Sequence, residues 1–187
     1  LPVPMLVLSL AVITSCGDLL RGGSEEDDDA DETVADELYR WTHTYGIQWA
    51  DNAHDACVLY DDGLMTSGYY SVFVDFDPDN GHLYRSGSDD SVGMFVMRHN
   101  TEGDLEWVET PDGPENDDTT MAMAFDRRRL PYLYVTGGFK DTVSFGPYEI
   151  TSEGQRDIFV AKYSLYGGLV WLKTLGGTGE EESSDIV

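Results

Sequence analysis

The tryptophans of this chain recur at nearly constant spacing, because Trp41, Trp107 and Trp171 are separated by two almost equal intervals. Around the last two the similarity runs without gaps. Residues 94–107 (MFVMRHNTEGDLEW) and residues 158–171 (IFVAKYSLYGGLVW) share Phe, Val, a basic residue, Gly, Leu and Trp at the same offset of 64. Chance does not supply such a series. The chain therefore carries an internal duplication, and a repeat of this length indicates stacked supersecondary units.

The similarity extends beyond the tryptophans. Ala56 is matched with Ala122 near the start of an apolar segment, and residues 66–70 (TSGYY) correspond to residues 135–139 (VTGGF) at an offset of 69. The change of offset predicts that the second copy has extra residues before residues 135–139. It also predicts that the first copy has an insertion after residues 66–70.

Within the second copy the local patterns predict strands. They are apolar runs rich in aromatic and β-branched residues, bounded by turn residues. The predicted strands are Met121 to Phe125, Tyr132 to Thr136, Ile158 to Tyr163 and Leu169 to Leu175. Residues 140–156 form a longer connection, and the glycines of residues 164–168 indicate a hairpin loop. The last two strands lack clean alternation, which predicts sheets covered on both faces.

Four short antiparallel strands per unit are typical of a β-propeller blade, whose sheet packs face to face on its neighbours. The predicted fold class is therefore all-β. It comprises two four-stranded antiparallel blades, at residues 41–107 and 107–171, and the first strand of a third blade after residue 171.

Several motifs of the second copy form a set: DIFVAKY (157–163), GLVW (168–171), LGGTG (175–179), LYVTGGF (133–139) and VSFG (143–146). They resemble the bacterial β-propeller repeat often called SBBP. The similarity covers residues 41–187, although the first copy has MTSG at residues 65–68 in place of YVTG. The resemblance implies a propeller fold in a secreted or lipid-anchored bacterial surface protein, and it implies no common catalytic residues.

A single blade cannot cover its own apolar faces, and propellers close with about four to eight blades. We therefore expect this sequence to be part of a longer array. Its last residues are expected to lie inside the first strand of a third blade. Repeat arrays need neighbours and protected ends for stability. Expressed alone, the chain is expected to aggregate or to pack loosely.

The amino terminus has the pattern of an export signal. Leu1 to Thr14 is apolar and uncharged. It is too short to cross a hydrocarbon core of ~30 Å, but it has the length of a signal-peptide core. Residues 13–17 (ITSCG) resemble the lipobox of bacterial lipoproteins, which predicts a signal peptide at residues 1–16 and lipidation of Cys16. The sequence departs from the pattern because no Lys or Arg precedes the apolar run.

An acidic segment lies between the predicted anchor and the repeats, and the net charge of the chain limits which partners are expected. Residues 17–40 include EEDDDADE, which repels itself and predicts a disordered acidic tether. The whole chain has 36 acidic and 11 basic residues, for a net charge of −25. This balance repels phosphate backbones, so a nucleic-acid partner is not expected. The expected partners are the membrane, through the lipid, and an unknown protein or glycan.

Three acids offer a candidate metal site. Asp75, Asp77 and Asp79 alternate as calcium ligands do, but the sixth residue of the run is Asn80, where an EF-hand loop has Gly. The alternative is a polar hairpin turned at Asn80 and Gly81, and the pattern favours it. No other cofactor is indicated.

The remaining chemical groups form no catalytic motif. The histidines, which fall at different repeat positions and indicate no ligand pair, are His43, His54, His82 and His99. The acids at one shared repeat position, read as turn or cap groups, are Asp51, Asp117 and Glu181. The repeated tryptophans are predicted to be core residues, and Cys57 is predicted to be a buried, inert thiol.

The sequence thus predicts a lipid-anchored, non-enzymatic propeller protein of the bacterial cell envelope, at the outer membrane or cell surface, that acts as a binding or scaffolding surface. One alternative is an envelope enzyme of the propeller type, a lyase or glycan hydrolase, whose site lies in further blades. A structural or adhesion component is the third possibility.

Overall fold

The computed structural model describes residues 8–13, 39–45, 51–71, 73–86, 92–113, 119–126 and 131–187. This part of the chain is all-β and contains no helix, so it also contains no helix that could span a membrane. Its strands, in chain order, are β1 (Leu8–Ile13), β2 (Tyr39–Tyr45), β3 (Asn52–Val58), β4 (Leu64–Ser71), β5 (Phe73–Asp75), β6 (Tyr84–Ser86), β7 (Val92–His99), β8 (Leu105–Glu109), β9 (Thr119–Asp126), β10 (Tyr132–Phe139), β11 (Thr142–Phe145), β12 (Tyr148–Thr151), β13 (Asp157–Ser164) and β14 (Leu169–Leu175).

Two four-stranded antiparallel sheets form the body of the molecule. The first sheet is β3-β4-β7-β8 and the second sheet is β9-β10-β13-β14, each in sequence order. Between its second and third strands each sheet carries an inserted hairpin, β5–β6 or β11–β12. The sequence predicted the four strands of the second copy but not β11 and β12, which are short. Strands β1 and β2 pair in a separate two-stranded sheet.

The strand registers confirm both offsets of the repeat. Thr66 pairs with Met97 in the first sheet, and Val135 pairs with Ala161 in the second. The members of these pairs are related by the two different offsets that the sequence predicted for their strands. The third and fourth strands also share a register shift, which lies between Arg98 and His99 in one sheet and between the corresponding residues in the other.

One predicted match is wrong by a single position. Ala56 pairs with Thr66, whose counterpart is Val135, and Val135 pairs with Met123. The counterpart of Ala56 is therefore Met123 and not Ala122. A shift of one residue moves a side chain to the opposite face of a strand, so the predicted match placed the two alanines on different faces.

The two sheets pack face to face. We call the face of each sheet that looks toward the preceding strands its leading face, and the opposite face its trailing face. The leading face of the first sheet includes Tyr70, Phe95 and Met97, and Tyr45 of β2 covers it. The trailing face of the first sheet packs against the leading face of the second in one large core. Its fully buried members include Met65, Met94, Val96, Leu133, Val135, Phe139, Phe159 and Ala161.

The bounds of the two four-stranded sheets differ from the unit boundaries predicted at the tryptophans. The two sheets begin at Asn52 and Thr119. Trp41 lies in β2, before the first sheet, and Trp107 lies in β8, the last strand of the first sheet. The predicted blades at residues 41–107 and 107–171 therefore cut through β8 and β14. The predicted first strand of a third unit is not formed, because residues 181–187 adopt no regular structure.

The amino-terminal predictions are only partly covered by the structure. Leu8–Ile13, inside the predicted signal peptide, forms β1 and pairs with β2. The predicted tether at residues 17–40 overlaps β2 at Tyr39 and Arg40, and its other residues lie outside the described part of the chain. Cys16 also lies outside it, so cleavage and lipidation there stay predictions.

Candidate functional site

The contact between the two sheets is centred on one backbone carbonyl. Leu165, in the turn between β13 and β14, accepts hydrogen bonds from Arg98 Nη1 at 2.9 Å and from Trp107 Nε1 at 2.8 Å. Gly167 allows this approach in two ways. Its φ of 81° is left-handed, and a Cβ at this position would lie 3.0 Å from the Trp107 ring. Glycine is therefore required where the first sheet meets the turn of the second.

Charged groups reinforce the same interface. The Arg98 side chain is only 9% exposed, and its guanidinium forms ion pairs of 2.6 Å with Asp61 and with Glu106. A second link crosses the sheets where Asp55 Oδ2 accepts the Met123 N–H at 2.7 Å. The two ion pairs lie within the first sheet and its connection and compensate the buried charge of Arg98. The hydrogen bonds that cross between the sheets are Arg98 to Leu165 and Met123 to Asp55.

The trailing face of the second sheet carries the counterparts of the residues buried at this interface. Tyr134, Ile158, Val160, Lys162 and Trp171 correspond in register to Met65, Met94, Val96, Arg98 and Trp107. They are half-buried, whereas Met65, Met94 and Val96 are buried. Lys162 Nζ lies 3.7 Å from the centroid of the Tyr132 ring, and the Tyr134 and Trp171 rings are 6.0 Å apart. This face is therefore apolar and aromatic with one cation, and no described strand covers it.

Strand β2 is fixed to the first sheet by a cluster of rings. The Tyr45 hydroxyl lies 2.6 Å from Nε2 of His99, and the ring of His43 stacks on that of His99 at 5.6 Å. His43 donates from Nε2 to the Gly103 carbonyl at 2.7 Å, and its Nδ1 lies 3.0 Å from the Asp79 carboxylate. These contacts join β2 to the turn between β7 and β8 and to the inserted hairpin.

Burial keeps the central pair of this cluster uncharged at neutral pH. Loss of solvent, together with the nearby charge of His43, lowers the pKa of His99 to about 4. Burial, and then the carboxylates of the inserted hairpin, raise the pKa of Tyr45. The sequence predicted histidines on the surface, and His99 instead is buried and stacks on His43. His43 and His99 are distant in sequence, and only the packing of β2 on the first sheet joins them.

The three acids of the candidate calcium site have separate partners. Asp75 accepts the Asp77 N–H at 3.1 Å and the Leu83 N–H at 2.8 Å, and it also contacts the His82 ring. Asp79 instead faces His43. Strands β5 and β6 flank the turn, which confirms the hairpin alternative. Among the described residues, no group of three His, Cys, Asp or Glu side chains is arranged to hold a metal ion.

Two of the three acids that the sequence assigned to one repeat position act as backbone acceptors, as predicted. Asp51 accepts the Ser71 N–H at 2.9 Å, and Glu181 accepts the Gly177 N–H at 3.3 Å. Asp117 lies outside the described residues. These carboxylates hold connections in place beside the strands.

The predicted core roles can be checked at two tryptophans and one cysteine. Trp107 packs on the main core and stacks on Tyr163, with ring centroids 6.4 Å apart, which confirms its core role. Trp171 is half-buried on the trailing face of the second sheet, and the Trp41 side chain is outside the described part. Cys57 is partly buried and packs against the core.

A cavity at the end of the second sheet had no counterpart among the sequence predictions. Lys140, Gln155, Arg156 and Glu180 line about 190 Å³ of space there. Residues from three separate connections meet at this point, so no local motif could have predicted it.

No protein-family model matches the chain, and no curated protein is significantly similar to it in sequence. The resemblance to the SBBP repeat thus stays a prediction from motifs, whereas the all-β architecture is a property of the structure.

Proposed function

We propose that the two sheets are neighbouring blades of a β-propeller, and that the chain is a lipid-anchored, non-catalytic binding or scaffolding module of the bacterial envelope. One observation carries the proposal. The trailing face of the second sheet presents, in the same register, the counterparts of residues that are buried between the sheets. A further sheet stacked on this face would repeat the existing interface.

The exposed face is suited to such burial. Ile158 and Val160 are half-buried in β13, and full burial of a side chain of this size contributes about 1.5–3 kcal/mol. Lys162 stands at the Arg98 position, so its ammonium can reach a turn carbonyl as the Arg98 guanidinium does. Trp171 likewise offers its indole N–H at the Trp107 position.

The polar groups of the interior support a scaffolding role. Arg98, Asp51 and Asp55 all bond to groups that hold strands or connections in place. The net charge of −25 suits an exposed surface that binds a protein or glycan and repels nucleic acid.

The blade proposal is tested by adding a copy of the repeat. Gly176 occupies the repeat position of Asp112, so a second copy of residues 113–176 is inserted after Gly176. The substitution Val160→Cys is made only in the original copy. Its thiol should react with a thiol reagent at least tenfold more slowly in the extended protein than in the parent chain, because a new sheet covers it. The Val96→Cys thiol is the control and should be protected in both proteins. Equal Val160→Cys reactivity in the two proteins would refute the stacking.

The anchor is tested in bacteria with a radiolabelled fatty acid. The parent chain and Cys57→Ala should take up label and sediment with membranes, because both retain Cys16. Cys16→Ala should do neither. Two or more acyl chains are needed for stable anchoring, so loss of the acceptor thiol should release nearly all of the protein. Labelling of Cys16→Ala would exclude the lipid anchor.

A further inference from the structure

The cavity at the end of the second sheet is built from three connections. The β10–β11 turn supplies Lys140, the β12–β13 connection supplies Gln155 and Arg156, and the segment after β14 supplies Glu180. The Gln155 N–H donates to the Gly179 carbonyl at 2.9 Å, which joins two of these connections directly.

Further backbone hydrogen bonds hold the walls of the cavity in place. The Glu181 N–H donates to the Arg156 carbonyl at 2.9 Å. The Ser152 N–H donates to the Asp141 carbonyl, also at 2.9 Å, and this bond joins the turn that carries Lys140 to the β12–β13 connection. Because the lining backbone is already fixed, a ligand that enters the cavity pays little for ordering it.

The two cations of the cavity occupy opposed positions at the end of a strand pair. Phe139 pairs with Asp157 at the end of the β10–β13 ladder, so Lys140 and Arg156 are the next residues in the same register. The Arg156 guanidinium also packs on the β10 backbone at Gly138, where a Cβ would overlap it. Like charges at opposed positions are destabilising. An anion in the cavity would offset this repulsion.

The first sheet does not have these cations. By register, Lys140 corresponds to Ser71 and Arg156 corresponds to Val92. The glycine on which the Arg156 guanidinium packs corresponds to Tyr69. The pair of cations is therefore not required to form a sheet of this kind, and it distinguishes the second copy from the first.

The lining restricts the charge of a ligand. Two cations and one carboxylate line the cavity, whereas the whole chain has a net charge of −25. The chain as a whole repels a polyanion, and the Glu180 carboxylate repels a dianion at close range. A ligand with a single negative charge fits best.

The lining also restricts the size and polarity of a ligand. All four lining residues are polar, and Gln155 and Glu180 can form hydrogen bonds with hydroxyl groups. The volume is about 190 Å³, which is below the range of about 300–1,000 Å³ for pockets that hold drug-sized ligands. A hydroxylated ligand the size of one sugar ring is therefore favoured.

We infer that this cavity binds the terminal uronic acid residue of a glycan. Its carboxylate lies between Lys140 and Arg156, where it accepts charge-assisted hydrogen bonds, and its hydroxyls meet Gln155 and Glu180. This inference rests on the proposed binding role and gives the ligand a chemical class.

Titration of the full chain with methyl β-D-glucuronide at low salt, followed by NMR or calorimetry, tests the site. A Kd of about 1 mM is expected for a single sugar ring. Methyl β-D-glucoside has the same ring without the carboxylate and should bind about tenfold more weakly or worse, because it accepts no charge-assisted hydrogen bond. Sulfate should also bind more weakly than the glucuronide, because it is a dianion.

Three substitutions locate the binding. Lys140→Gln should weaken glucuronide binding by about tenfold or more. Lys173→Gln, on an exposed part of β14, makes the same change of net charge and should alter binding by less than about twofold. Glu180→Gln should lower the preference for glucuronide over sulfate several-fold, because it removes the repulsion of the dianion. Arg156 is left unchanged, since its guanidinium also packs on the β10 backbone.

Equal binding of the glucoside and the glucuronide, or equal losses in Lys140→Gln and Lys173→Gln, would overturn the inference. Tighter binding of sulfate, or of L-alanine as a simple zwitterion, would also overturn it and would assign the cavity to small anions or to amino acids. The Val160→Cys protection test concerns a different face of the sheet, so failure of the uronate site and failure of the proposed propeller are distinguishable.

Discussion

The two four-stranded sheets share strand order, register and bulge, yet their third strands differ in burial. In β7 every residue from Met94 to His99 is buried, because one face meets β2 and the other meets the second sheet. In β13 buried and half-buried residues alternate. The repeat therefore encodes the backbone of each sheet, and the neighbours decide which faces lie in the core.

The comparison also shows how side chains fit these surroundings. Arg98, inside the interface, has two carboxylate partners and a carbonyl acceptor. Its counterpart Lys162 extends over the rings of Tyr132 and Tyr134 on an open face. A cation at the same repeat position is thus a buried structural group in one sheet and a surface group in the other.

The largest expected difference is at the paired valines. Val96→Asp places a carboxylate in the core between the sheets, where Val96 is 2% exposed, and should cost about 4 kcal/mol of unfolding free energy. Val160→Asp, on the half-buried face, should cost less than about 1 kcal/mol. Chemical denaturation of the full chain measures both. Equal losses would show that the two faces have the same environment.

Acid should weaken the first sheet before the second. His99 is buried with a pKa of about 4, below the value of about 6.5 in an unfolded chain. The unfolded state therefore binds more protons between these values, so stability is full above pH 6.5 and falls as the pH drops toward 4. The total effect is about 3 kcal/mol. Its counterpart Tyr163 does not titrate in this range, because burial raises its pKa further.

The control for acid is His99→Gln, which keeps an acceptor for the Tyr45 hydroxyl and cannot titrate. Burial raises the pKa of Asp51 and of Glu109, and both oppose the histidine effect near the acid end of the window. The decisive quantity is therefore the difference between the parent and His99→Gln across pH 4–7. Amide exchange in β7 and β13 then assigns the loss to a sheet. Identical pH profiles for the two proteins would contradict the assignment to His99.

Much of the fold followed from local patterns, because each strand of the second copy is a compact apolar run between turns. The offsets between the copies could also be predicted from the sequence, because the corresponding strands of the two sheets pair in the same register. Ala56 was misaligned because its counterpart, Met123, lies between two alanines, Ala122 and Ala124, and a match of alanine with alanine selects the wrong offset. The short strands β11 and β12 of the second inserted hairpin were missed, because four residues each give too little periodicity to detect.

The candidate surfaces depend on how the sheets pack, so they were harder to predict from the sequence. The absence of alternation in Ile158 to Tyr163 predicted coverage on both faces, and this is wrong for the second sheet in the structure, although it describes the first. The pairing of His43 with His99 follows from the packing of β2, which no local pattern encodes. The same is true of the carbonyl of Leu165, which any residue type would supply.

A smaller difference is expected at the paired cations. Arg98→Ala removes the donor to Leu165 and leaves the carboxylates of Asp61 and Glu106 without their cation at the edge of the interface. Both carboxylates are more than a third exposed, so water recovers part of the loss. We expect a cost of about 2 kcal/mol. Lys162→Ala should cost no more than about 0.5 kcal/mol, and urea midpoints distinguish the two. A Lys162→Ala loss as large as that of Arg98→Ala would mean that the open face is covered in solution.

The smallest effect isolates one hydrogen bond. Trp107→Phe keeps an aromatic ring against Tyr163 but removes the Nε1–H that donates to Leu165 at 2.8 Å. A neutral hydrogen bond contributes about 1 kcal/mol net, and the Arg98 guanidinium still satisfies the carbonyl, so the loss should stay near that value. Trp171→Phe removes the same group from an open face and should change the unfolding free energy by less than about 0.5 kcal/mol. In the protein extended by a further repeat, Trp171 should acquire a turn carbonyl as acceptor, and Trp171→Phe should then cost as much as Trp107→Phe. If Trp171→Phe costs close to zero in the extended protein, the two tryptophans are not equivalent, and the two sheets are not equivalent either.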